Sequence, residues 1–353
     1  MSRFLSKRFS EIEPYTPGEQ PKTQNLIKLN TNESPFPPSP KVTEALNKAE
    51  IEKLNLYSDP DTKEVIDAIA KTLGVKSTQV LMGNGSDEIL AFAFQAFCDN
   101  EHQPCFADIT YGFYPVFCEL YGLKPEIIPL RDDLSIGVDD YCNKNRPIFI
   151  ANPNAPTGLA LSLEKIEKIL STNKDNIVLI DEAYVDFGAQ SAISLLNKYD
   201  NLIVSRTFSK SRNLAGARIG FAVANESIIE DMAKMKFSFN PYNINRLSII
   251  AGKESVLDTE YFDKCISEII NTRSFTVNEL EKRGFYIPDS KANFIFAKHN
   301  SLSGAEYFNE LRKRNILVRH FNKDRIKDYV RITIGSGEQM KALVEATDDI
   351  LKG

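Results

Sequence analysis

The chain has 353 residues, 42% of them hydrophobic and 26% charged, with a formal net charge of −5. That length can bury a large core and predicts about two domains, while the mixed, mildly acidic charge excludes a basic nucleic-acid groove or a polybasic membrane patch. No apolar run approaches the roughly 20 residues of a membrane span, and the charged start over 1–8 lacks the apolar segment of a secretory signal.

In chain order, the stretch to about Gln24 is polar and punctuated by Pro14, Pro17 and Pro21, which predicts an extended arm. A strand-like run covers 27–30. Pro35-Phe36-Pro37-Pro38-Ser39-Pro40 must then be irregular, because proline lacks the N–H that a ladder or helix needs. Residues 65–73 have amphipathic helical spacing, and 88–97 form a strongly apolar helical run. The continuous apolar runs at 147–151, 177–180 and 202–205 fit buried parallel strands, with a crossover helix over 163–170 joining the first two. This alternation predicts an α/β fold with a mostly parallel sheet flanked by helices. After about Ala251 the texture changes to a long helix over 262–282, a strand at 293–296 and a helix over 305–314. Strands at 316–318 and 330–334 and a terminal helix complete it. The expected division is an arm over 1–28, a large domain over 29–250 and a smaller α+β domain over 251–353.

In open parallel sheets, ligands sit beyond the carboxyl ends of the strands. Here the first apolar run leads into Asn152-Pro153-Asn154-Ala155-Pro156-Thr157-Gly158. The second leads into Asp181-Glu182-Ala183-Tyr184, and the third into Arg206-Thr207-Phe208-Ser209-Lys210. Any one of these would pass for an ordinary turn. Together they collect an amide loop, a carboxylate with a phenol, and a lysine. An amine able to bond to a carbonyl, with hydroxyls and Arg218 beside it suited to a phosphate, is what pyridoxal phosphate requires.

Upstream, Gly83-Asn84-Gly85-Ser86-Asp87-Glu88 precedes the apolar helix. Its glycines would let the backbone approach an anion at the helix N-terminus. Capping of the first turn by Ser86 or Asp87 is the plainer alternative. The spacing matches neither the dinucleotide-binding glycine motif nor a P-loop. Five cysteines (Cys98, Cys105, Cys118, Cys142, Cys265) show no Cys-x-x-Cys pair, and His102, His299 and His320 have no ligand spacing. Reduced thiols in a cytoplasmic protein are expected, with neither a metal site nor a Ser-His-Asp triad.

The ordered set of motifs resembles the fold-type I pyridoxal-phosphate aminotransferases, most closely the histidinol-phosphate aminotransferase family. The resemblance rests on Pro14-Tyr15-Thr16-Pro17-Gly18, Leu29-Asn30-Thr31-Asn32-Glu33-Ser34-Pro35, Leu56-Tyr57-Ser58-Asp59, the Gly83 motif and Thr110-Tyr111. It continues through the three strand ends, Arg218, Pro241-Tyr242-Asn243, Ala292-Asn293-Phe294 and Arg331, and so spans nearly the whole chain.

The resemblance implies that Lys210 bonds covalently to pyridoxal 5′-phosphate and later moves the substrate's α-proton. It implies that Asp181 pairs with the ring nitrogen, Tyr184 donates to the ring oxygen, and Tyr111 stacks on the ring. Arg218, Ser209, Thr207 and the Gly85–Ser86 backbone would hold the phosphate. Tyr57 would reach that phosphate from the other subunit of a homodimer with shared active sites. Arg331 would grip an acidic group of the amino donor, Arg319 a substrate phosphate, and Tyr15 would close over the site. The sequence departs from the family at Ala155, where asparagine is usual, and Asn154 is expected to reach the ring oxygen instead.

The implied reaction is amino transfer between histidinol phosphate and 2-oxoglutarate, in histidine biosynthesis. A threonine-phosphate decarboxylase-like lyase and an aromatic amino-acid aminotransferase are the alternatives on the same scaffold. A ligand-sensing module joined to a DNA-binding segment is disfavoured by the acidic balance.

Overall fold

The computed structural model describes residues 5, 6, 9, 12–21, 26–47 and 51–352; the expected arm over 1–28 therefore falls partly outside the described residues. The first part of the chain forms β1 (Ile27–Lys28), α1 (Pro40–Asn47), α2 (Lys63–Leu73), β2 (Val80–Gly83), α3 (Ser86–Phe97), β3 (Cys105–Ala107), α4 (Phe113–Tyr121) and β4 (Glu126–Ile128). Then come β5 (Ile148–Ala151), α5 (Leu163–Thr172), β6 (Val178–Asp181), β7 (Leu202–Thr207), β8 (Gly220–Ala224), α6 (Glu226–Phe239) and α7 (Arg246–Leu257). The remainder comprises α8 (Thr259–Glu281), β9 (Phe285–Tyr286), β10 (Phe294–His299), α9 (Gly304–Lys313), β11 (Ile316–Leu317), β12 (Arg319–His320), β13 (Tyr329–Thr333) and α10 (Gly337–Lys352).

Seven strands make one sheet in the order β2-β8-β7-β6-β5-β3-β4. Its pairs are parallel except for β8, which runs antiparallel to both neighbours. Every residue of β5 and β6 is buried, as the apolar runs Ile148–Ala151 and Val178–Ile180 require, and β6 ends in the buried Asp181. Successive side chains leave opposite faces. Leu179 therefore packs with Leu90, Phe94 and Met232 on one side, while Val178 and Ile180 pack with Ile69, Ile166 and Ile169 on the other. Helices cover both faces. α2 shows why: Val65, Ala68 and Ile69 recur at helical spacing and are buried. The helix stops at Gly74, whose left-handed φ of 68° lets its N–H return to the Ala70 carbonyl.

The flanking strands β2, β3, β4 and β8 extend the sheet beyond the three strands expected from apolar runs. β3 and β4 have only three residues each, too few for an apolar run to mark, whereas β2 and β8 are buried apolar runs at least as long as β5 and β6. The orientation of β8 has a consequence for the site. The parallel strands β5, β6 and β7 end at one edge, and β8 begins there, so Arg218, just before β8, meets the residues that follow β7.

A second core gathers Leu29, Ile295, Leu311, Ile332 and Leu343 around the antiparallel sheet β12-β13-β10-β9. β1 pairs in parallel with β11, placing Ile27 opposite Ile316 and Lys28 opposite Leu317. The chain then turns back from this second core at residues 30–33. No helix among the described residues is long and apolar enough to cross a membrane, and the five cysteines are free thiols.

Candidate active site

A cavity of about 800 Å³ opens at the sheet edge where β5, β6 and β7 end. Lys210, Asp181, Tyr184, Thr207, Ser209, Ser86, Arg218, Tyr111, Tyr15, Arg319 and Arg331 all line it. Motifs separated by more than 300 residues are thereby brought to one wall.

Asp181 closes β6 and is 4% exposed. Its Oδ2 accepts a hydrogen bond from the Tyr114 phenol at 3.2 Å, while Oδ1 is buried without any partner. Burial pushes this carboxyl up to about 7, although the Tyr114 phenol and the nearby Ala183 amide pull it down. A buried carboxylate oxygen with no donor is costly. A protonated ring nitrogen in the cavity would supply the missing hydrogen bond.

Lys210 follows β7 by three residues. Its Nζ donates to the Thr31 carbonyl at 3.2 Å and lies 5.8 Å from the centre of the Tyr184 ring. Burial first, and then the positive charge of Arg331, bring its amine down to about 8. An appreciable neutral fraction at physiological pH makes it a nucleophile for a carbonyl.

Beside it lies an anion cradle. Thr207 Oγ1 donates to Ser209 Oγ at 3.0 Å, and Arg218 Nη1 lies 3.4 Å from the same Ser209 oxygen. α3 starts here with no side chain capping its first turn, so its leading N–H groups are left for an anion. The expected caps do other work. Asp87 pairs with Arg218 at 3.2 Å and accepts from Tyr111 Oη at 2.6 Å. Gly85 does not line the cavity, and its N–H goes to the Gly83 carbonyl. Its contribution is room: with φ at 87°, a Cβ there would come 2.5 Å from Arg218 Nη2.

At the opposite wall, Arg331 Nη2 donates to the Asn30 carbonyl at 3.0 Å, and its Nε is buried without a partner. Its guanidinium carbon lies 5.4 Å from the Phe294 ring centre and 5.6 Å from that of Phe321. Arg319 joins the same wall, 5.8 Å from Phe321. The region suits a planar anion taken by two parallel bonds. Tyr15 is 40% exposed at the rim, its ring 5.0 Å from Phe113 and 6.5 Å from Tyr111.

Besides Gly85, two expected residues are not on this wall. Asn154 is buried beneath it, its amide donating to the Ile109 carbonyl at 2.9 Å and to Thr157 Oγ1 at 3.2 Å, while its Oδ1 accepts from Thr110. The structure does not bring it to the cavity. Tyr57 is 79% exposed and stacks on Tyr242 with centroids 4.4 Å apart, outside the cavity of its own chain. Conversely, Asn32, Asp87 and Tyr114 belong to the site and carried no expected role beyond a cap at Asp87. Their motifs were visible, but which way each side chain points was not.

The family described as aminotransferase class I and II has a model that matches residues 24–346. The chain is 50% identical over 353 residues to a histidinol-phosphate aminotransferase of Brachyspira hyodysenteriae, covering all of both chains. Its fold is similar to that of a histidinol-phosphate aminotransferase from Sinorhizobium meliloti in complex with pyridoxal-5′-phosphate, with a TM-score of 0.83 at 22% identity over 92% of this chain and 91% of that one. It is also similar, with a TM-score of 0.79 at 23% identity over 93% of this chain and 100% of the other, to L-threonine-O-3-phosphate decarboxylase from Porphyromonas gingivalis. At those identities the likeness is one of fold, and the fold is shared by a transferase and a lyase.

Proposed function

The chain belongs to the class I and II aminotransferase family, and from that premise we propose that it transfers an amino group from histidinol phosphate to 2-oxoglutarate, using pyridoxal 5′-phosphate. The observation that carries the substrate is half identity, end to end, with a histidinol-phosphate aminotransferase. The cofactor is supported by the cavity itself, where Lys210, the partnerless Asp181 Oδ1 and the Arg218 cradle answer three different parts of one molecule.

When bound, pyridoxal phosphate supplies an aldehyde and a ring that accepts the electron pair left at the substrate's α-carbon. Asp181 keeps a proton on the ring nitrogen through Oδ1. Thr207, Ser209, Arg218 and the first turn of α3 hold the phosphate. Tyr111 would stack on the ring, and Tyr184 would donate to its oxygen. Lys210 Nζ would be the amine that holds the cofactor's aldehyde carbon and, once freed, the general base that takes the substrate's α-proton. Arg331 binds the carboxylate of glutamate or 2-oxoglutarate, and Arg319 the phosphate of histidinol phosphate. Tyr15 covers the rim and excludes water.

The working assembly is a homodimer. Ile51, Leu54, Leu56, Tyr57, Phe239 and Tyr242 are exposed apolar side chains, Tyr57 stacked on Tyr242, that a second copy would cover, carrying Tyr57 to the partner's phosphate cradle. Residues 29–250 act as a cofactor-holding part and 251–353 as a smaller part, preceded by the arm over 1–28. The second core around β10 and β13 supports the smaller part, while α7 crosses residue 250 and packs Ala251 and Val256 into the core of the large sheet. Five free thiols fit a cytoplasmic setting.

The test is a panel of amino donors and keto acids with the cofactor-loaded enzyme. Histidinol phosphate with 2-oxoglutarate should turn over fastest. Carbon dioxide release from a phosphorylated amino acid, without transamination, would assign the lyase reaction. A preference for phenylalanine or tyrosine would assign the aromatic one.

A further inference from the structure

Asn32 is 1% exposed and lies where the chain turns back from β1 into the cavity, with a left-handed φ of 55°. Its backbone N–H donates to Thr333 Oγ1 at 3.0 Å, and the same hydroxyl donates to Asn32 Oδ1 at 3.1 Å. The Thr333 oxygen therefore receives the main-chain proton and directs its single proton at the amide oxygen. A carboxamide has one accepting end and one donating end. With the accepting end held by Thr333, the Nδ2 end faces Tyr184 Oη and donates to it at 3.0 Å. The Asn32 carbonyl is anchored in turn by Asn293 Nδ2 at 3.1 Å.

Tyr184 already accepts on the Asn32 side, so its own proton turns away from Asn32 and into the cavity. We propose that Asn32, oriented by Thr333, is a positioning residue that makes Tyr184 a one-way donor to an anionic oxygen in the cavity. This rests on the function proposed above, in which that oxygen belongs to the pyridoxal phosphate ring. The reverse amide orientation would let Tyr184 donate to Asn32 and present a lone pair to the anion, and it would leave the Thr333 proton without its acceptor. No carboxamide of the 152–158 loop lines the cavity to share this task. Donation from Asn32 also eases negative charge onto Tyr184, opposing the effect of its burial.

The test compares Thr333→Val, which removes the orienting proton, with Thr333→Ser, which keeps it, and with Asn32→Asp, which can only accept. Each is titrated with pyridoxal phosphate and with an analogue lacking the ring oxygen. Thr333→Val and Asn32→Asp should weaken binding of pyridoxal phosphate by about tenfold or more, the scale of one hydrogen bond to a charged group. Thr333→Ser should stay within about twofold of wild type, and binding of the analogue should be unchanged in all three. The pH midpoint of the visible absorption band of the loaded enzyme should rise in the two weakened variants. Unchanged affinity in both, an equal loss for both ligands, or a loss in Thr333→Ser matching that in Thr333→Val would overturn the proposal. Failure of the wild-type protein to bind pyridoxal phosphate would instead overturn the function on which it rests.

Discussion

The phenol of Tyr114 donates to Asp181 Oδ2 at 3.2 Å and leaves Oδ1 of the same carboxylate buried and unpaired. Tyr114 fixes the plane of the carboxylate, and Asp181 lines the cavity. That half-satisfied state is a cost carried by the cofactor-free protein and relieved by a ligand that donates to Oδ1.

A pH dependence of stability follows from it. The folded-state value of Asp181, about 7, lies above the ordinary 3.8, so the folded protein binds the extra proton between those values. Stability of the cofactor-free protein is therefore expected to be unpenalised below about pH 4 and to fall as pH rises towards 7. Asp181→Asn should match wild type in urea unfolding at pH 4 and exceed it by about 2–4 kcal/mol at pH 8, while losing most of its affinity for pyridoxal phosphate.

Lys210→Ala should lower turnover by about 10³-fold or more while the phosphate cradle still retains cofactor, as measured by steady-state rates and equilibrium dialysis. In the intact protein, capture of the aldehyde needs the neutral amine. Its rate should rise about tenfold per pH unit at low pH and level off above about 8, where Lys210 loses its proton. Stopped-flow reconstitution across about pH 6–11 gives the profile; a break near the ordinary lysine value of 10.5 would contradict the buried setting.

Arg331 acts on both substrate and lysine. Arg331→Gln removes the guanidinium whose Nε lacks a partner, and should raise KM for 2-oxoglutarate by about 10–100-fold with a smaller change in kcat. The same change deletes a positive charge that depresses Lys210, so the capture break should move upward in pH.

Gly220 tests the cradle from behind. A Cβ at this position would press on the Ser86 amide and come 2.5 Å from the Gly85 carbonyl carbon, both rigid backbone. Gly220→Ala should displace the start of α3, weaken pyridoxal phosphate binding by about tenfold or more, and lower thermal stability. Calorimetry with and without cofactor separates the two losses.

The chemistry of the wall was legible in the chain because polar residues follow uninterrupted apolar runs: Asp181 and Thr207 at the ends of β6 and β7, and Tyr184, Ser209 and Lys210 in the loops beyond them. Arg331 and Arg319 were legible as arginines on short strands. The direction of a buried amide was not. Asn154 looked the natural substitute for the residue absent at Ala155, yet hydrogen bonds to Ile109, Thr110 and Thr157 hold it beneath the wall. Asp87 looked like a helix cap, yet Arg218 and Tyr111 claim its carboxylate.

Local sequence alone determined the α/β alternation, the reactive amine and the carboxylate, because hydrophobic period and strand-end position are properties of neighbouring residues. Only the tertiary structure decided that β1 pairs with β11, that antiparallel β8 delivers Arg218 to the cradle, and that Asn32 stands between Thr333 and Tyr184. Those are contacts between segments as much as 301 residues apart. They are selected by the joint demand that every buried donor and acceptor find a partner, a demand no single stretch of chain can express.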